Sequence, residues 1–290
     1  MRFLTIIILA LVFGKTPPAC SAQNAAPAFK IAVCDWMILK RQKLGAFDRT
    51  KEIGADGVEV DMGGLGKRPT FDNKLLDPVE RKAFKDAAQR TGLEIASIAM
   101  SGFYAQSFAD RDSLERLMND CINTMELMGA KVAFLPLGTE SDLVKFPEKR
   151  PAVVERLRIF GKKAEAAGVI IGIETNLSAK EEAALLEEIG SPAIKIYFNF
   201  QNPLEGGRDL YEELQVLGRD RICQIHCTDT DDVWLEQNTR IDMLQVKKVL
   251  TDMGWTGWLV IERSRDKNKV RDVVGNYGAN TRFLKSVFQK

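Results

Sequence analysis

Hydrophobic and polar positions along this chain follow two periodicities that alternate. Short runs rich in β-branched residues occur at Lys30–Cys34, Gly57–Asp61, Glu94–Ala99, Val132–Leu135, Ile170–Glu174, Ile194–Phe198, Ile222–Cys227 and Trp258–Glu262. Their length and composition predict strands. Between them lie amphipathic stretches with helical spacing: Ala46–Ile53, Pro78–Thr91, Ser113–Met128, Ala152–Ala167, Lys180–Ile189, Arg208–Leu217 and Asp242–Met253, with a last helix over Val273–Phe288. Several end on a glycine just before the next strand, at Gly54, Gly92, Gly129 and Gly168, where a left-handed residue stops a helix. This alternation predicts an α/β fold, a single parallel (β/α)8 TIM barrel over residues 23–290. A doubly wound open sheet is the alternative, but Cys34-Asp35-Trp36-Met37 after the first strand offers no glycine-rich phosphate turn.

The N-terminal segment departs from this pattern. Arg2 precedes an apolar run from Phe3 to Phe13, followed by Pro17, Pro18 and the small residues Ala19-Cys20-Ser21-Ala22. A charged start, a short apolar middle and a small-residue cleavage site predict a secretory signal peptide over residues 1–22, and so an exported, periplasmic protein. A buried N-terminal strand is the competing reading. The run is too short to span a bilayer, so no transmembrane anchor is expected. Lipoprotein anchoring at Cys20 is disfavoured by the Pro17-Pro18-Ala19 that precedes it.

Charge is balanced, 41 Lys and Arg against 40 Asp and Glu, and removal of the leader takes away Arg2 and Lys15. Such a chain has no electrostatic footprint for nucleic acid. Four cysteines remain beyond the leader: Cys34, Cys121, Cys223 and Cys227. On one strand, Cys223 and Cys227 would lie roughly 13 Å apart at about 3.3 Å per residue, so buried thiols are expected rather than disulfides.

A (β/α)8 barrel places its chemistry at the C-terminal ends of the strands. Four consecutive strands there carry Glu174, Asn199, His226 and Glu262, and His226 is the only histidine in the chain. Singly, each has a bland explanation: a paired or solvated carboxylate, a loop-turning amide, a hydrogen-bonded structural imidazole. At equivalent positions on adjacent strands they form an N/O donor set suited to one divalent metal ion, Mn, Mg, Co or Zn.

These residues give the chain its resemblance to the xylose isomerase-like TIM barrels, the sugar phosphate isomerase/epimerase superfamily. The resemblance runs through Gly54-Ala55-Asp56-Gly57-Val58-Glu59, Ile173-Glu174, Asn199 to Asn202, Ile225-His226 with Asp229, and Gly254 to Glu262. It implies a metal held by Glu, Asp, His and Glu from strands 5 to 8. It also implies that Glu174 and Glu262 form an acid/base pair working on opposite faces of a cis-enediolate. Two positions depart from it. Asn199 stands where an aspartate is expected, which lowers the ligand charge, and Thr228 replaces a lysine of a His-x-Lys-Asp stretch. Loss of that cation, together with export, disfavours a phosphorylated substrate.

Around the mouth, Trp36, Phe103, Tyr104 and Trp234 are candidates to stack on a sugar ring or to cap loops. Glu59 at the end of strand 2 is a candidate either to support the site residues from behind or to contact substrate, Asn202 and Arg263 are candidates for substrate contact, and Arg265 for binding a substrate oxygen or carboxylate. Asp229, Asp231 and Asp232 read as a solvated acidic loop, with Asp229 closest to supporting the site; Lys40, Arg41 and Lys43 also read as solvated.

The expected activity is metal-dependent isomerisation or epimerisation of a non-phosphorylated sugar by proton abstraction next to a carbonyl. Elimination from 3-keto sugars or glycosides by a lyase or hydratase is the alternative, and a non-catalytic periplasmic sugar-binding barrel is a third. The expected partner is a small-molecule carbohydrate, with homo-oligomerisation left open.

Overall fold

Eight parallel strands close on themselves in chain order: β1 (Phe29–Cys34), β2 (Gly57–Asp61), β3 (Glu94–Ala99), β4 (Val132–Pro136), β5 (Ile170–Glu174), β6 (Ile194–Asn199), β7 (Ile222–His226) and β8 (Gly257–Ile261), with β8 pairing back onto β1. The computed structural model describes residues 28–290, so the expected leader over 1–22, with Cys20, lies outside the described residues. The helices are α1 (Asp35–Ile38), α2 (Gly45–Ile53), α3 (Pro78–Thr91), α4 (Leu114–Met128), α5 (Arg150–Ala167), α6 (Ala179–Ile189), α7 (Gln201–Glu205), α8 (Leu210–Arg221), α9 (Met243–Asp252) and α10 (Val273–Phe288). No helix among the described residues is long and apolar enough to cross a membrane.

The expected strands and the eight long helices are all present, with ends shifted by at most a few residues. Several helix starts are fixed by side-chain caps. Asp77 accepts from the N–H groups of Val79 and Glu80 ahead of Pro78, and Ser178 and Glu181 form a reciprocal capping box on α6. Gly92 and Gly129 stop α3 and α4 with φ of 71° and 77°, a conformation costly for any residue with a Cβ. The short helices α1 and α7 carry too few residues to give a periodic signal, so the hydrophobic pattern does not reveal them.

Two layers of core result. Outward-facing strand residues such as Val58, Ile98, Ile171 and Leu259 pack under the helices. The barrel interior is filled by small Ala32, Ala96 and Ala99 against large Phe134 and Tyr197. The four cysteines are free, three of them buried and Cys223 partly so, as expected of thiols rather than bridges.

Strict alternation fails at two places, and both serve the interior. The β2–β3 ladder skips Ala96 between Val58–Ile95 and Glu59–Ser97, and the β6–β7 ladder skips Cys223 between Ile196–Ile222 and Tyr197–Gln224. Each extra residue bends its strand and re-aims the side chains beyond it. Ser97 and Gln224 thereby face the barrel axis, where they meet Tyr197 and Glu59.

The end of β5 is latched from outside the barrel. Thr175 Oγ1 donates to Glu182 Oε1 of α6 at 2.8 Å and accepts from the N–H of Leu177. Burial raises the Glu182 carboxyl to about 8, against an opposing contribution from the Thr175 hydrogen bond. Glu182 is therefore neutral in the fold at pH 7 but ionised in the unfolded chain, so it withdraws stability as pH rises from the unfolded value towards about 8. Denaturant titrations of Glu182→Gln should show less stability lost between pH 6 and pH 9 than in wild type, by on the order of 2–3 kcal/mol. Parallel pH curves for the two proteins would contradict this.

Candidate active site

Three strand ends and one residue beyond a fourth converge at the barrel mouth. Glu174 closes β5, Asn199 closes β6, His226 closes β7 directly opposite Asn199, and Glu262 comes just after β8. All four are buried. His226 Nδ1 lies 3.2 Å from Glu174 Oε2 and 3.9 Å from Glu262 Oε2. The Tyr104 hydroxyl bridges the two carboxylates, 3.3 Å from Glu174 Oε1 and 3.1 Å from Glu262 Oε1. A hydroxyl has one proton to give, so it can donate to only one of them at a time. The Asn199 amide nitrogen also reaches both, at 3.0 Å from Glu174 Oε2 and 3.3 Å from Glu262 Oε2.

Beneath the imidazole lies a third carboxylate. Glu59 Oε2 faces His226 Nε2 at 3.0 Å and the Cys34 thiol at 3.4 Å, while Oε1 accepts from Ser97 Oγ at 3.0 Å and Tyr197 Oη at 2.9 Å. Gln224 Nε2 donates to both of those hydroxyls, which leaves their protons for Glu59. An acceptor-only carboxylate surrounded in this way fixes a proton on Nε2 of His226. Nδ1 then faces the two upper glutamates. Phe134 and Tyr197 hold the ring in place, with centroids 4.7 and 4.6 Å from it.

This geometry sets the electrostatics. Burial opposes charge on His226, but Glu262 and Glu59, with hydrogen bonds to Glu174 and Glu59, raise its pKa well above the ordinary imidazole value. Burial, reinforced by Glu174, raises the Glu262 carboxyl despite the opposing pull of His226. Burial also lifts the Tyr104 hydroxyl and the Cys34 thiol well above their usual range, so both stay protonated donors. Among the described residues, no Lys or Arg forms an ion pair with Glu59, Glu174 or Glu262. Three buried carboxylates against one imidazolium are costly unless further positive charge is supplied. The residues therefore fit a divalent cation. Cys34, Glu59 and His226 also bring one donor atom each within 4.8 Å of one another, on the Nε2 side of the ring.

The mouth opens into a cavity of about 740 Å3, within the usual size range of ligand pockets. Glu174, Asn199 and Glu262 lie in its lining, as do Trp36, Tyr104, Asn202 and Arg263. Trp36 stands parallel to Phe134 with centroids 6.3 Å apart. Asn202 donates to the Thr175 carbonyl oxygen at 2.8 Å. Three expected contacts are corrected. Glu59 is wholly buried behind His226 and does not line the cavity. Phe103 is equally buried because its ring packs edge-on against Phe71 and Phe108. Trp234 is drawn away to Asn276, to which its Nε1 donates at 2.8 Å.

The acidic loop and the arginines also differ from expectation. Asp229 is buried and accepts from Asn238 and Thr230, which braces its own loop. Arg265 is turned to Asp231, at 2.5 Å. Arg41, expected in solvent, lines the cavity with its Nε pinned to Ser101 Oγ at 3.0 Å and to the buried Asp61 at 3.2 Å. Ser97, Tyr197 and Gln224 were missed outright. Their polar character within otherwise apolar strands was the available signal.

A family model described as the xylose isomerase-like TIM barrel matches residues 47–287. The chain belongs to the xylose isomerase-like TIM-barrel family. It is 26% identical over 211 residues to a 2-epi-5-epi-valiolone 7-phosphate 2-epimerase of Actinoplanes sp., covering 69% of this chain and 72% of that protein. In fold it is similar to D-psicose 3-epimerase from Clostridium cellulolyticum H10, with a TM-score of 0.68 at 13% identity over 89% of this chain and 99% of that one. It is also similar to 3-keto-D-glucoside 4-epimerase from E. coli, with a TM-score of 0.69 at 18% identity over 89% of this chain and 99% of that one.

Within this xylose isomerase-like barrel, Thr228 has a structural use that explains its place. It is buried, and its Oγ1 accepts from the N–H groups of Glu262 and Arg263, which fixes the end of the strand that carries Glu262. Tyr277 assists by donating to the Glu262 carbonyl oxygen at 2.7 Å.

Because His226 is the only histidine, its ring nitrogens can be followed by NMR without assignment ambiguity. In metal-free protein the ring should hold its second proton to higher pH than an ordinary imidazole does, since the surrounding carboxylates raise its pKa. Glu59→Gln should lower that pKa. A neutral ring titrating near the ordinary value of about 6.5 in wild type would contradict the geometry.

Proposed function

We propose that this chain is a divalent-metal-dependent carbohydrate epimerase or isomerase that moves a proton on a carbon next to a carbonyl. One observation carries the reading: Glu174 and Glu262 meet at the floor of a large cavity, bridged by Tyr104 and sharing one imidazole. The sugar epimerases among its relatives support the same class of chemistry.

Glu174, His226 through Nδ1, and Glu262 are the residues that would hold the cation. When bound, a divalent ion supplies the positive charge that polarises a substrate carbonyl. Glu59 keeps the proton on Nε2, so that Nδ1 is the nitrogen offered to the ion, an arrangement in which a carboxylate orients a metal-binding histidine.

The two glutamates are chemically unequal. His226 Nδ1 is closer to Glu174, whereas burial raises Glu262. Glu174 acts as the base that takes the proton, and Glu262 as the acid that returns one to the enediolate; environments that separate two carboxylates in this way divide the roles. Tyr104 donates to whichever carboxylate is charged. Trp36 provides an apolar face beside the sugar ring, and Asn202 and Arg263 supply polar contacts on the cavity wall.

With the leader expected over residues 1–22, the working substrate is a non-phosphorylated sugar met outside the cytoplasm. The cavity volume leaves room for a glycoside as well as a free ketose.

Incubation of metal-loaded protein with ketoses and 3-keto glycosides in heavy water tests the reading. Deuterium should enter the carbon next to the carbonyl, and Glu174→Gln and Glu262→Gln should each slow entry by about 10²-fold or more. An unsaturated product would move the assignment to a lyase. Absence of exchange across the panel, with no bound metal, would leave a sugar-binding barrel instead.

A further inference from the structure

The backbone holds the amide of Asn199 in one orientation. Its Oδ1 accepts the Gln201 N–H at 3.0 Å, a turn from residue to residue plus two that opens α7. Its Nδ2 therefore points the other way, donating to Glu174 Oε2 and to Glu262 Oε2. Turning the amide over would set two donors face to face at Gln201 and bring Oδ1 against two carboxylate oxygens. Asn199 is buried, and these contacts use both ends of the amide.

We infer that Asn199 is not a metal ligand. It is a positioning donor that holds the two glutamates, and the protein supplies three ligands only: Glu174, His226 and Glu262. The inference rests on the divalent-metal reading of the site. An amide NH2 has no lone pair to offer a cation. An aspartate here would keep the Gln201 turn with one oxygen and present the second to the ion. Asparagine uses the same two atom positions as one acceptor and one donor. The centre then has two carboxylates to match a divalent charge, and three protein donors leave the remaining positions to substrate oxygens.

Titration of metal-free protein with Co²⁺, followed by its visible d–d absorption, tests this without recourse to turnover. Asn199→Asp should shift the bands and tighten binding about ten-fold, because it adds an anionic ligand. Asn199→Ala should bind Co²⁺ with the band positions of wild type, because no ligand has been removed. The inference is overturned if the Asn199→Asp spectrum matches wild type or if the Asn199→Ala spectrum does not. A wild-type protein that binds no Co²⁺ overturns the metal reading itself, a result distinct from either of these.

Discussion

The hydrogen bond between Glu59 and His226 governs the rest of this site, because it decides which nitrogen of the only imidazole faces Glu174 and Glu262. Glu59 accepts from Ser97, Tyr197 and Cys34 as well as from the ring, so every one of these partners turns a proton towards it. The proton on Nε2 is therefore fixed, and Nδ1 is left to face Glu174 and Glu262. A bond of this kind is worth more inside the barrel than at the surface, since the same low dielectric that strengthens it makes an unpaired carboxylate expensive. The two ladder irregularities in β3 and β7 belong to this network, for without them Ser97 and Gln224 would not turn inward to support Glu59.

Three of the four strand ends that carry the buried site residues are secured by different local devices. Thr175 ties the end of β5 to Glu182 in α6, Asn199 caps the chain as it leaves β6, and Thr228 with Tyr277 holds the residue after β8. The arrangement separates tasks within a barrel. Apolar packing between strands and helices supplies the scaffold, while single hydrogen bonds at the rim fix the chain where the buried polar side chains leave the strands.

The scaffold was legible in the sequence because it depends on local rules. Period-two runs, period-3.6 runs and glycine stops such as Gly92 and Gly129 act over a few residues, and they named all eight strands. The strand-end rule likewise brought Glu174, Asn199, His226 and Glu262 to one place. What escaped depends on tertiary placement. Glu59 ends its strand as Glu174 does, yet it lies wholly buried behind the imidazole rather than at the cavity wall. Phe103 and Tyr104 are neighbours with similar rings, but the turn that carries them sends one into the core and the other to the two carboxylates. Arg41 reads as a solvated cation until the buried Asp61 beside it is known. Ser97 and Gln224 were hidden because irregular ladders break the alternation used to sort inward from outward residues.

The divalent-metal reading puts one ion on the Nδ1 face of His226, between Glu174 and Glu262. Anomalous scattering from crystals of Mn²⁺-loaded protein locates such an ion directly. One peak per chain is predicted there, about 2.0–2.6 Å from Nδ1 and an oxygen of each glutamate. No peak at that position, or a peak on the Nε2 face among Cys34, Glu59 and the ring, would contradict that reading.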